Sequence, residues 1–170
     1  MRDDERRVIV KQLHDSPVQL VLNAAGGGMA LITDLLLVPG ASRTVLEISV
    51  PYAAAAMVDL LGKDPSQAVS DTTAHDLAAA GRARARELAD GVTWGVGITA
   101  ALTTDRTRRG EDRAWLCITG HPSIAVDLDD VPSDRVSQDR AVADAVLAEF
   151  DRRLDRLARD RTAGRGQKTV

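Results

Sequence analysis

Gln19-Leu20-Val21-Leu22-Asn23, followed after Ala24-Ala25 by Gly26-Gly27-Gly28 and then by Met29-Ala30-Leu31-Ile32-Thr33-Asp34-Leu35-Leu36-Leu37, is the stretch that decides the fold. A short apolar run with β-branched character that stops at glycines has the pattern of a buried strand opening into a loop. The segment from Met29 to Leu37 then reads as the helix after that loop. The same change of period recurs along the chain. Upstream, Glu5 to His14 places Val8, Ile9 and Leu13 on one side of a helix that ends before Ser16-Pro17. Downstream, Pro39-Gly40-Ala41-Ser42 is turn chemistry, and Thr44 to Val50 is strand-like.

Tyr52 to Leu61 is Ala-rich and helical, with Gly62 as its C-cap and Asp64-Pro65 closing the segment. Ser70 reads as the N-cap of a long Ala/Arg/Leu helix running to about Ala89. Val92 to Ala101 is the next strand, Thr103 to Asp112 a charged loop, Arg113 to Thr119 a further strand, and Ile124 to Leu128 a short one. Beyond Pro132, Val136, Ala143, Val146, Leu147, Phe150, Leu154 and Leu157 recur with helical spacing, predicting one amphipathic helix to about Arg159. Strands alternating with helices predict a single three-layer α/β/α domain over residues 1–160. Its sheet is mixed, mostly parallel and flanked by helices, and a long helix closes the chain. Residues 161–170 have nothing to bury and read as a disordered tail.

Composition excludes several function classes. The chain of 170 residues carries 22 Lys+Arg against 25 Asp+Glu, so no global basic field exists to hold nucleic acid. The apolar run from Met29 to Pro39 is interrupted by Asp34 and is far short of the roughly 20 residues that span a bilayer, so no membrane partner is expected. The charged start and the single cysteine, Cys117, fit a cytoplasmic protein. His14, His75 and His121 lie on different elements without paired spacing, so no metal site is expected. Cys117 alternates with Leu116 and Ile118 and reads as a small core residue.

In open α/β sheets ligands sit at the carboxyl ends of strands, and four such places carry chemistry. Gly26-Gly27-Gly28 before a helix start suits phosphate on backbone N–H groups, yet a plain strand-to-helix turn fits the same residues, since neither Gly-x-Gly-x-x-Gly nor a P-loop lysine is present. Ser42 beside Arg43 reads as a nucleophile or as a turn cap. Tyr52 either presents its phenol to a cleft or packs in the core. Thr99 ends a strand, and the Arg106, Arg108 and Arg109 cluster that follows reads first as a solvated face and second as an anion clamp.

Taken together, Gly27-Gly28, Leu31-Ile32-Thr33-Asp34, Val38-Pro39-Gly40-Ala41-Ser42, Val50-Pro51-Tyr52, Leu60-Leu61-Gly62, Ala68-Val69-Ser70 and Gly97-Ile98-Thr99 resemble, in order and spacing, the C-terminal domain of the competence/damage-inducible CinA family. The resemblance runs from about residue 8 to residue 157. It implies a nicotinamide-nucleotide amidase that hydrolyses the carboxamide of nicotinamide mononucleotide to the acid and ammonia, without a cofactor and often as a homo-oligomer. Carried onto this chain, it assigns Ser42, Tyr52 and Thr99 to catalysis and Gly27, Gly28, Arg43, Arg135 and Arg140 to a small-molecule nucleotide substrate. The family lysine five residues after the tyrosine is Met57 here. The family Ser-Cys-Thr is Ala24-Ala25-Gly26, and its Gly-Ile-Ala-Gly-Pro loop is Ala100 to Thr104. An alternative follows from those replacements: a nucleotide-binding or regulatory module that keeps the pocket without the chemistry.

Overall fold

The computed structural model describes residues 1–105 and 110–166. Arg106, Arg108 and Arg109 of the expected arginine cluster lie outside the described residues. The elements run α1 (Asp3–Asp15), β1 (Val18–Ala25), α2 (Met29–Leu37), α3 (Ala41–Thr44), β2 (Val45–Ser49), α4 (Ala54–Leu61), α5 (Asp71–Leu88), β3 (Val92–Ala101), β4 (Arg113–Ile118), β5 (Ile124–Val126) and α6 (Arg135–Gly166). The five strands form one mixed sheet in the order β2-β1-β3-β4-β5. β1 pairs in parallel with β2 and β3, while β4 runs antiparallel to both β3 and β5. This is an α/β fold with helices on both faces of the sheet.

Alternation along the strands divides the core between the two faces. Leu20, Leu22 and Ala24 of β1, Val96, Ile98 and Ala100 of β3, and Ala114, Leu116 and Ile118 of β4 pack on one face with buried residues of α1, α2 and α6. Phe150 of α6 is fully buried there and stacks on Trp94, with ring centroids 6.0 Å apart. On the other face α5 brings Ala74, Leu77 and Ala78 to the sheet, beside Cys117 and Ala25. α5 lies directly on the backbone of β3, because a Cβ at Gly97 would meet the Ala74 carbonyl oxygen and the Ala78 nitrogen. Glycine is required there for close approach, as at Gly95, where a Cβ would meet Ala78 and Arg82 backbone.

Three expectations are corrected. The last helix does not stop near Arg159: residues 161–166, read as tail, continue α6 to Gly166. The helix after Pro51 begins at Ala54, which leaves Tyr52 ahead of it, outside any helix or strand. Val8 and Val136, read as apolar stripe residues, are 56% and 80% exposed. Val136 stands in the first turn of α6, where neighbouring Arg135 meets loops beyond the strand ends rather than the sheet. Among the described residues no helix is long and apolar enough to cross a membrane.

Candidate functional site

A cavity of about 310 Å³ opens at the carboxyl ends of β1, β2 and β3, where the strand order and the parallel pairing place it. Thr99 from β3, Gly26 from the glycine turn, Tyr52 after β2 and Met57 from α4 line it, with Asp64 and Ala68 from the segment between α4 and α5. Thr99 is 1% exposed, and its Oγ1 donates to the Ala68 carbonyl oxygen, so one hydroxyl both closes that segment over the cavity and faces into it. Tyr52 is 77% exposed at the mouth. Met57 is buried against Ala25 and Leu77 and presents an apolar wall. Asp64 is the charged side chain of this lining, and among the described residues no lysine or arginine shares it.

The structure therefore brings Tyr52 and Thr99 together and leaves Ser42 elsewhere. Ser42 is exposed in α3, at the amino end of β2, while Tyr52 follows its carboxyl end. The five residues of β2 extend over about 16 Å at strand rise, so the two side chains lie at opposite ends of this strand. Arg43 goes with Ser42: its Nε donates to the His14 carbonyl oxygen at 3.0 Å and its Nη2 to Asp15 Oδ1 at 2.9 Å.

The glycine turn has the geometry expected of an anion cradle, filled from within. Gly28 adopts φ +84° as the N-cap of α2, a left-handed conformation that favours glycine. The backbone N–H groups of Gly28 and Met29 donate to Asp139 Oδ1 at 2.7 and 3.0 Å, and that of Ala30 to Asp139 Oδ2 at 2.8 Å. The carboxylate thus occupies the helix N-terminus that a phosphate would otherwise take. A Cβ at Gly27 would meet Leu102 and Ala100, so this glycine packs against the exit of β3.

Arg135 and Arg140 are also engaged within the chain. Arg135 donates to the carbonyl oxygens of Gly26 at 2.9 Å and Thr103 at 3.4 Å, joining the glycine turn to the loop after β3. Arg140 pairs with Asp34 of α2. Beside them Gln138, 3% exposed, accepts from the Thr103 N–H and donates to Asp112, each at 2.7 Å. Sequence reasoning missed Asp139 and Gln138, whose signal lay in a polar cluster from Asp134 to Arg140 at the start of an apolar helix. Among the described residues no group of His, Cys, Asp and Glu is arranged to hold a metal ion.

Comparison with solved structures agrees with this architecture. The chain is similar to a CinA-superfamily competence-damaged protein from Klebsiella pneumoniae, with TM-score 0.67 and 14% identity over 92% of this chain and 97% of that one. A CinA-superfamily protein from Enterobacter cloacae matches with TM-score 0.65 and 20% identity over 89% and 92% of the two chains. A competence/damage-inducible protein from Agrobacterium tumefaciens matches with TM-score 0.58 and 18% identity over 91% and 92%. No protein-family model and no curated protein sequence matches the chain. The fold of this chain is shared with these solved structures.

Proposed function

We propose that this CinA-like chain is a small-molecule-binding protein whose Thr99 pocket takes a carboxamide-bearing, nucleotide-like ligand without hydrolysing it. The observation that carries this reading is the content of the pocket, which among the described residues has Tyr52 and Thr99 but neither a serine nor a cation. Hydrolysis of an unactivated amide needs a nucleophile with a base in hydrogen-bond reach. A phenol serves as that base only when a neighbouring positive charge lowers its pKa from about 10. Met57 supplies an apolar thioether at this place instead. Asp64 at the lining suits a cationic pyridinium ring, and the Thr99 hydroxyl and nearby backbone suit a carboxamide.

A second reading is favoured by one observation: Ser42 and the 77% exposed Tyr52 both lie at the surface beside the edge strand β2. A second copy packed along β2 would bring its own serine to the Tyr52 pocket. The reaction would then be addition of water to the carboxamide, giving the acid and ammonia. Ammonia release from nicotinamide mononucleotide, measured beside the shift in melting temperature, separates the two. Binding without turnover supports the first reading, and Met57→Lys is expected to leave binding in place. Turnover that disappears in Ser42→Ala supports the second.

A further inference from the structure

The opposite end of the sheet holds a larger cavity, of about 560 Å³, that the pocket at Thr99 does not involve. Arg82 and Arg86 reach it from the last turns of α5, and Arg153 and Arg156 from α6. Their spacings, four residues on α5 and three on α6, put each pair on one helical face. Trp94 of β3 and His121 after β4 complete the chemistry of the lining.

These arginines are incompletely neutralised within the chain. Arg153 is 7% exposed and donates through Nε to Glu149 at 2.7 Å, a carboxylate that Arg152 also engages. The buried Nε of Arg82 has no hydrogen-bond partner among the described residues, and its Nη1 reaches Thr119 Oγ1 only at 3.5 Å. Arg86 and Arg156 form no ion pair among the described residues. Two carboxylates, Asp90 and Asp160, lie in the same lining and leave an excess of positive charge over four guanidinium groups. Gathering guanidinium groups around one concavity costs free energy unless an anion sits among them.

From this cavity we infer a second ligand site, one that binds a small metabolite bearing two or more phosphate charges. Planar guanidinium forks match phosphate oxygens bidentately, and the cavity volume suits a metabolite-sized ligand. Trp94 offers an apolar surface for the uncharged part of the ligand. A nucleic-acid backbone fits less well, since the chain is net negative by three charges and the arginines line a concavity. His121 reports the local field, its pKa held below the ordinary histidine value by burial and then by Arg153 and Arg156.

The test is titration of the full chain with pyrophosphate, followed by calorimetry and by NMR of the His121 ring. Binding is expected to raise the pH at which His121 titrates, as the added negative charge offsets Arg153 and Arg156. It should weaken with salt and fall at least tenfold in the double variant Arg86→Gln/Arg156→Gln, both of whose side chains are exposed. The charge-matched control Arg7→Gln/Arg113→Gln, at exposed residues outside this cavity, should bind as the wild type does. Absence of binding at millimolar pyrophosphate, or equal weakening in the control, would overturn the site. An oligonucleotide that binds and is not displaced by pyrophosphate would overturn it in favour of nucleic acid.

Discussion

At position 14 a histidine is 1% exposed, and its Nε2 lies 3.0 Å from the Leu35 carbonyl oxygen, to which it donates when neutral. Burial holds its pKa below the ordinary histidine value, against the effect of the Leu35 carbonyl and with that of Arg43. The unfolded chain takes up this proton near pH 6.5, and the folded chain only at lower pH. Its contribution to stability is therefore complete above about pH 6.5 and is lost as pH falls below that value toward the folded pKa. His121 acts in the same direction. The denaturation midpoint is expected to fall on acidification from about pH 6.5 to 5, and His14→Gln to flatten part of that slope.

Asp139 carries a second prediction at the same scale. Asp139→Ala orphans three backbone N–H groups at the start of α2 and should cost about 1–3 kcal/mol in a denaturant titration. Sulfate should stabilise that variant more than the wild type, because the cradle is then open to an anion. Gly28 announces such a cradle in the sequence, but its occupant lies 111 residues away on another element. Local reasoning finds the donors and not the acceptor, because the pairing is set by how α6 packs on α2.

Element by element, the segments with a clear period emerge at their expected places. β3 and α2 have the bounds that alternation and the glycine loop predict, and Ser70 caps α5 by accepting from the Thr73 N–H at 3.1 Å. Pattern does not reveal how closely elements approach. Gly95 and Gly97 let α5 rest on the sheet backbone, a closeness that the strand pattern of Val92 to Ala101 does not announce. Gly97→Ala adds a methyl where the backbone of α5 already is, and should destabilise by at least about 1–3 kcal/mol. A calorimetric melting scan measures that cost.

Across the whole molecule, the sheet separates two cavities, one at the carboxyl ends of its parallel strands and one at the opposite end. The position of the first was legible from the rule that ligands sit beyond strand ends, and Tyr52 and Thr99 meet there. Ser42 stands apart from them within one chain, because β2 lies between it and Tyr52 and an extended strand carries the chain about 3.3 Å per residue. The arginine cavity was not legible, since its members come from the ends of two helices that are far apart in sequence and meet only in the fold.

The pocket at Thr99 is the centre of the account, and calorimetric titration with nicotinamide mononucleotide tests it most directly, using the wild type beside Ala68→Trp. Ala68 lines the pocket and is exposed, so an indole there fills the cavity without disturbing the core. The account predicts saturable binding by the wild type with no heat of hydrolysis, and loss of that binding in a variant whose melting temperature is unchanged. Binding that survives the tryptophan, or a wild type that does not bind at all, would contradict it.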